Sequence, residues 1–365
     1  MGRLSIKGML FGNLDGHYKY YLEKLFDAFP GSTSDFEKFL IDEQTKIEKG
    51  FDKVMLKAHR QAFTHRTSFY FQGILTVEKA MFRNYRKSFR LYFSYLSTCH
   101  HLLDNTLKEI TGRQNVTGSE GICLSLFAHL LRVGDQIGLQ LLNGYSDSAL
   151  ILWRSFYEHA LVLKFLAEQN DEDLTVRFMQ HNSLQGKKLL QSYNQRLVAE
   201  GFERFDGQTE KKVKDKEADL IKSYGKDFME EYGWSNAKLR NGKRVTLRDL
   251  ETFVHMGRYR PFYIWASGFT HGTFEAFKRV LQDDKIDIRK ITDIAYDEEG
   301  LIDPMQITLA VLLDATEPLV QLLSDEAEAE SNLRLLHDLY DQLRRHFAAL
   351  IKKQKREENS KPLNI

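Results

Sequence analysis

Residues 148–167 read SALILWRSFYEHALVLKFLA, and this stretch decides the fold. On a helical wheel its apolar side chains point in nearly every direction, which is typical of a helix at the centre of a core. Arg154 and Glu158 lie one turn apart within it, on the same stripe. Because a buried charge without a partner is strongly destabilising, we expect both side chains to be largely buried and paired.

The Arg154–Glu158 pair has two interpretations. It is a structural ion pair that fixes the register of the helix, or it is the wall of a ligand-binding or catalytic pocket, where desolvated charge concentrates. The expected polar partners elsewhere in the chain are Arg177, Tyr263 and His271. His271 is either an ordinary histidine of the core or a binding residue within the aromatic segment that contains it.

Helical spacing of apolar residues continues on both sides of this stretch, and no segment alternates with a period of two. The chain has 5 prolines in 365 residues, and none lies between Pro30 and Pro261, which suits long helices. The sequence therefore predicts an all-α multi-helix bundle with long N-terminal helices and a C-terminal helix. Helices are expected over 35–62, 74–110, 122–142, 305–323 and 331–355.

These elements group into three expected regions. They are an N-terminal helical region (1–115), a central helical bundle that carries Arg154 and Glu158 (116–325), and a C-terminal helix with a basic tail (326–365). Within the central region, the segment 207–245 is highly charged and poor in large apolar residues. We therefore expect this segment to be an exposed excursion from the bundle.

Composition excludes several classes of protein. The formal net charge is +1, and the 2 cysteines give neither a disulfide framework nor a zinc pattern, which indicates a reducing compartment. Because no stretch of about 18 consecutive apolar residues and no secretory signal is found, we expect a cytoplasmic protein without a membrane partner. Glycine-rich nucleotide loops and metal-binding histidine motifs are also missing, so we expect no cofactor and no metal.

A basic stripe runs along the predicted helix 74–110. Arg83, Arg86, Lys87 and Arg90 recur at i, i+3, i+4 and i+7, on one face of the helix. Such a stripe follows a phosphate backbone well, so we predict that these four residues face solvent and contact RNA. The alternative is an ordinary solvated helix face whose charge is balanced elsewhere.

The chain resembles a family of bacterial helical proteins of unknown function. The likeness covers roughly residues 118–324 and is carried by the motifs Arg154-Ser155-Phe156-Tyr157-Glu158, Arg177-Phe178, and the late series Tyr263, Ser267 and His271. The resemblance implies a helical bundle in which Arg154, Glu158 and His271 converge. It implies no established reaction.

A weaker resemblance is to HEPN-type helical domains, many of which are ribonucleases with an Arg-x4–6-His motif. Arg154 and His159 have this spacing, as do Arg60 and His65. The resemblance implies that Arg154 binds the scissile phosphate, that His159 assists attack by the 2′-hydroxyl, and that the protein is a homodimer. On an ideal helix Arg154 and His159 diverge by about 140°, so one chain alone does not aim both into a narrow cleft.

Two functions therefore stand open. The first is a nucleic-acid-directed protein, a metal-independent HEPN-like ribonuclease in a bacterial toxin or defence setting, with Arg154, Glu158, His159 and His271 as its catalytic residues. The second is a non-catalytic binding or scaffold module, whose central polar residues are structural or hold a small ligand. An enzyme should place Arg154 with His159 or His271 in an open cleft, whereas a scaffold should bury them with their partners satisfied.

Overall fold

A computed structural model describes residues 16–113, 116–196, 198–239, 244–271, 273, 281–282, 285–286 and 299–360. The fold is all-α, as predicted. The chain divides into two compact units, Met1–Thr76 and Val77–Ile365. The expected boundaries near residues 115 and 325 both fall inside the second unit.

The first unit contains α1 (Gly16–Ala28), α2 (Thr33–Asp42) and the first part of α3 (Gln44–Asn84). Helix α2 begins at a capping box in which Ser32 and Asp35 satisfy each other's backbone amides. A small apolar cluster holds the unit together, formed by Leu22, Phe26, Phe36 and Ile47. The helix expected over 35–62 is therefore interrupted, since α2 ends at Asp42 and α3 begins at Gln44.

The helix expected over 74–110 is divided at Tyr85, between the end of α3 and α4 (Arg86–Thr111). The backbone of Tyr85 departs from helical geometry, with φ −116° and ψ 26°. Its amide still donates to Met81 O at 2.9 Å, and its carbonyl accepts from Phe89 N at 3.0 Å. The chain is thus kinked there, and helical hydrogen bonding continues through the kink.

Three helices form the centre of the second unit: α5 (Gly118–Leu142), α6 (Ser146–Gln169) and α13 (Ile302–Leu323). Helix α6 packs against both of the others, which explains why its apolar residues point in nearly every direction. Glycine brings α4 close to α5, because a Cβ at Gly138 would lie 2.7 Å from the ring of Tyr92. Helices α5 and α13 are long and apolar enough to cross a membrane, and their apolar windows are 50% and 72% buried in the fold.

The remaining described elements surround this centre. They are α7 (Glu172–His181), α8 (Ser183–Arg196), α9 (Gly207–Tyr224), α10 (Asn236–Leu239), α11 (Leu247–Phe253), α12 (Arg260–Thr270), α14 (Glu326–Ser360), five 3-10 turns (Val198–Glu200, Lys226–Met229, Gly233–Ser235, Gly257–Tyr259 and Glu299–Leu301) and a two-residue antiparallel pairing of β1 (Leu281–Gln282) with β2 (Lys285–Ile286).

The segment 207–245 is not simply an exposed excursion. Its first part is helix α9, and its second part folds back on the bundle, where Phe228 and Trp234 are buried in the main core. The prediction relied on average composition, and two buried aromatic residues among many charges are enough to anchor the segment.

Candidate functional site

A polar cluster lies where α6 meets α12, and it consists of Arg154, Glu158 and Tyr263. The hydroxyl of Tyr263 accepts from Arg154 Nη2 at 3.0 Å and donates to Glu158 Oε1 at 2.8 Å. The same Arg154 nitrogen lies 3.4 Å from Glu158 Oε1. The guanidinium groups of Arg154 and Arg260 each lie 5.1 Å from the centre of the Tyr263 ring. Tyr263 therefore fixes the positions of Arg154 and Glu158.

Arg154 and Glu158 are paired as expected, and each side chain is mostly but not fully buried. Their side chains are 25% and 35% exposed, because this stripe of α6 meets α12 only at Tyr263, and Glu158 also lines a cleft. Desolvation lowers the pKa of Arg154, but its hydrogen bond to Tyr263 and the charge of Glu158 raise that pKa by more. Burial raises the pKa of Tyr263, and its bond to Glu158 raises it further. The hydroxyl of Tyr263 is thus a protonated bridge.

The cleft beside this cluster has a volume of about 630 Å³. Glu158 and His159 of α6 form its polar wall, and segment 231–234 forms the opposite side. The complete lining consists of Ile122, Glu158, His159, Val162, Phe178, Met179, His181, Asn182, Glu231, Tyr232 and Trp234. A cleft of this size, mostly apolar with a few polar groups, has the dimensions and character of a small-molecule site.

The charged side chains of the cleft are the carboxylates of Glu158 and Glu231. Glu158 uses only Oε1 in its contacts with Tyr263 and Arg154, and no described residue bonds to its Oε2. Burial raises the pKa of Tyr232, and the charges of Glu158 and Glu231 raise it further, so its hydroxyl stays protonated. Among the described residues that line the cleft there is no Lys or Arg. The site therefore favours cationic or hydrogen-bond-donating groups over anions.

His159 packs edge-on against His129 of α5, with ring centres 4.6 Å apart. Its Nδ1 lies 2.7 Å from the carbonyl oxygen of Ser155. A carbonyl only accepts, so Nδ1 carries the proton in the neutral ring and Nε2 keeps its lone pair. The guanidinium of Arg132 donates to His129 Nδ1 at 3.0 Å, so the proton of neutral His129 is on Nε2. The two rings thus hold opposite tautomers.

The structure brings some predicted site residues together and leaves others apart. Arg154 and Glu158 meet through Tyr263, and His159 lines the adjoining cleft. Arg177 instead pairs with Asp173 at 2.7 Å. His271 is exposed at the end of α12, where its backbone amide bonds to Ser267 O, and it is not part of the cleft lining.

The four cations of the predicted basic stripe are all exposed, as expected. The kink at Tyr85 places Arg83 on α3, whereas Arg86, Lys87 and Arg90 lie on α4. Whether they contact RNA stays a prediction.

Sequence reasoning missed the side of the cleft opposite α6. Trp234 packs edge-on against Phe178, with ring centres 5.0 Å apart, and the neighbouring Tyr232 and Glu231 face the same space. His181 is buried there, with Nε2 2.7 Å from Glu230 O, and burial lowers its pKa. The only sequence signal was the aromatic residues in an otherwise charged segment. Within the described part of the chain, no three His, Cys, Asp or Glu side chains are placed to hold a metal ion.

Comparison with known families assigns the region that carries this site. Residues 120–288 match the model described as "Family of unknown function (DUF5677)", which confirms the resemblance to a family of unknown function. The matched range contains the polar cluster and the whole cleft lining. No curated protein and no solved structure matches the chain. The comparisons give no similarity to HEPN-type domains.

Proposed function

We propose that the cleft, which lies in a region that matches a family of unknown function, binds a small molecule with a flat apolar body and a cationic, hydrogen-bond-donating group. One observation carries the proposal: Glu158 is fixed through Oε1 by Tyr263 and Arg154, while Oε2 has no partner among the described residues. A carboxylate held in one orientation beside an apolar cavity is already arranged for a ligand.

The walls support the flat apolar part of this ligand. Trp234 and Phe178 form one side, and Val162 and Ile122 add aliphatic surface. A planar ring between such walls buries apolar area on both faces, which supplies most of the affinity in sites of this kind.

The charge supports the cationic part. Glu158 and Glu231 both line the cleft, and the nearby guanidinium of Arg154 is already engaged by Tyr263. A phosphate or carboxylate would meet two carboxylates in a lining whose described residues include no Lys or Arg, whereas an amidine or aminoheterocycle would donate a charge-assisted hydrogen bond to Oε2 of Glu158.

The test is isothermal titration calorimetry with 2-aminobenzimidazole, a flat cation with adjacent donors. A fragment of about ten heavy atoms should bind with a Kd of roughly 0.1–1 mM. Glu158→Gln keeps the acceptor for Tyr263 but removes the charge, and should weaken binding at least tenfold. The matched control is Glu168→Gln on the same helix, where Glu168 pairs with Lys164 at 3.0 Å, away from the cleft. Equal binding by both variants, or tighter binding of benzoate than of the cation, would overturn the proposal.

RNA cleavage is the second candidate, and the tautomer of His159 favours it. With Nδ1 bonded to Ser155 O, Nε2 of His159 is left as a base on the cleft wall. Such a base deprotonates a 2′-hydroxyl without a metal, and Arg154 would stabilise the charge that develops on the phosphate. The pairing of Arg154 with Glu158 weakens this candidate, because a phosphate would have to displace a carboxylate.

This candidate is tested by incubating the protein with total RNA in the presence of EDTA. Cleavage should leave 2′,3′-cyclic phosphate ends, spare DNA and disappear in Arg154→Ala and His159→Ala. His271→Ala serves as the control, since His271 is exposed outside the cleft lining. Full activity in a folded Arg154→Ala protein would exclude the ribonuclease.

A further inference from the structure

We propose that helices α4 and α14, with the end of α3, form one binding surface for the phosphate backbone of single-stranded nucleic acid. We name it the two-helix basic surface and define it by Arg83, Arg86, Lys87, Arg90, Arg345, Lys352 and Arg356. None of these residues lines the cleft, so the inference does not depend on the ligand proposed above.

The first observation is a segregation of charge in the sequence. The chain as a whole is balanced, with 52 basic and 51 acidic residues. Yet no Asp or Glu occurs between positions 79 and 103, and none occurs between positions 342 and 356. Both stretches are rich in Lys and Arg, so each is a long segment of uncompensated positive charge.

The second observation is that the fold brings these two segments side by side. Ser88 Oγ lies 2.9 Å from His346 Nε2, and Tyr95, two turns further along α4, is near enough to Tyr340 for the two hydroxyl groups to interact electrostatically. The later residue of α4 thus lies beside the earlier residue of α14, so the two helices run antiparallel. Arg83, Arg86 and Lys87, which precede Ser88, consequently lie alongside the part of α14 that follows His346.

The third observation is that the cations point away from the core. On α14, Leu343 and Phe347 are buried, whereas Arg345, Lys352 and Arg356 recur at i, i+7 and i+11 on the opposite face. All three are exposed, as are the four cations of the basic stripe on α3 and α4. Each of the two helices therefore carries a row of exposed cations on its outer face.

Within the part of the chain that the structure describes, these charges are not consumed by ion pairs. Among the described residues, no carboxylate pairs with any of the seven cations, whereas the neighbouring Arg344 pairs with Asp341 at 3.4 Å. Arg345 donates only to the carbonyl oxygen of Asp341, at 3.2 Å. Seven cations on adjacent helices, none of them paired with a described carboxylate, create the field that a polyanion neutralises, with release of its counterions.

The composition of the surface favours nucleic acid over a membrane. A helix that lies on lipid exposes a broad apolar face beside its cations. Among the described residues of this surface, the cations stand with one exposed aromatic, Phe82, whose side chain is 41% accessible next to Arg83. A single exposed ring beside a row of cations suits stacking of an unpaired base, which is how single strands are held without sequence preference.

The test measures fluorescence anisotropy of a labelled 20-nucleotide single-stranded RNA over a series of NaCl concentrations. Arg86→Glu/Arg90→Glu changes α4, and Arg345→Glu/Lys352→Glu changes α14. Each should weaken binding tenfold or more and reduce the slope of log K against log[salt] by about 1.4, or roughly 0.7 per lost contact. Lys211→Glu/Lys222→Glu, an equal charge change on exposed positions of α9, should stay within twofold of the wild type.

Each double variant alters only exposed residues, so its urea unfolding midpoint should match that of the wild type and show that it is folded. Loss of binding in the α4 variant with none in the α14 variant would overturn the two-helix surface. So would an equal loss in the α9 control, which would reflect total charge alone. Binding to phosphatidylserine vesicles without binding to RNA would replace nucleic acid with a membrane as the partner.

Discussion

The cleft and the two-helix basic surface use charge in opposite ways. In the cleft, Glu158 is held at 2.8 Å by Tyr263 and is partly desolvated. On the basic surface, seven exposed cations have no carboxylate partner among the described residues. The first arrangement selects a ligand by geometry, and the second attracts one by total charge. Substitutions in the cleft should therefore alter the free energy of unfolding and the affinity for the small ligand. Substitutions on the basic surface should alter the salt dependence of nucleic-acid binding.

The cleft and the basic surface also differ in how their residues contribute to the core. Trp234 is 3% exposed and packs against Phe165 and Phe178, with ring centres 5.7 and 5.0 Å away. One side of the cleft is thus built from residues that also hold segment 228–235 on the core. The basic surface contains no such residue, because its cations project from the outer faces of their helices.

The largest effect is expected at this shared wall. Trp234→Ala should lower the free energy of unfolding by about 3–5 kcal/mol, the usual cost of removing a buried aromatic side chain. Urea denaturation followed by circular dichroism measures it. Phe202→Ala is the matched control, since Phe202 is 54% exposed and its loss should cost less than about 0.5 kcal/mol. A loss below about 1 kcal/mol for Trp234→Ala would mean that Trp234 does not hold segment 228–235 on the core.

Trp234 also shows what the sequence could and could not predict. The all-α class follows from periodicity, which is a local property, and the centrality of α6 follows from its apolar residues on every face. The return of segment 228–235 to the core is a long-range contact. It depends on a few aromatic side chains that average composition hides, so the opposite side of the cleft was not predicted.

The polar cluster was predicted in part. The pairing of Arg154 and Glu158 follows from their spacing on one stripe, and Tyr263 was among the expected partners. Their partial exposure did not follow, because an apolar helix gives no sign that one stripe lies along a cleft formed by residues some 75 positions later. His271 could not be placed either, since its position depends on where α12 ends.

A smaller effect is expected from the bridge in the polar cluster. Tyr263→Phe removes the hydroxyl that joins Arg154 to Glu158, and should lower the free energy of unfolding by about 1 kcal/mol. Both charged side chains can still reach water, so the loss should stay below the 3–5 kcal/mol typical of a broken buried ion pair. A double-mutant cycle with Glu158→Gln, read by urea denaturation, should give a coupling of about 0.5 kcal/mol or more. Additive effects would show that the bridge does not position Glu158.

The smallest effect is a pH dependence shared by both regions. Burial lowers the pKa of His129 behind the cleft below its ordinary value of 6.5, and His159 and Arg132 lower it further. Burial, and then Lys87, lower the pKa of His346 beneath the basic surface. Between the lowered pKa and 6.5 the unfolded chain binds more protons than the folded one, so these histidines stabilise the fold less as the pH falls.

The free energy of unfolding should accordingly decrease between pH 7.5 and pH 5.5, a range that lies above the titration of ordinary carboxylates. His129→Gln and His346→Gln should each flatten this decrease, because each removes a group that protonates first in the unfolded chain. His271→Gln provides the control for replacing an exposed histidine outside both regions. Urea denaturation at four pH values measures the slope. An unchanged slope in His129→Gln with a flattened one in His346→Gln would show that the pair of His129 and His159 is solvated. The pH dependence of stability would then come from the basic surface and not from the cleft.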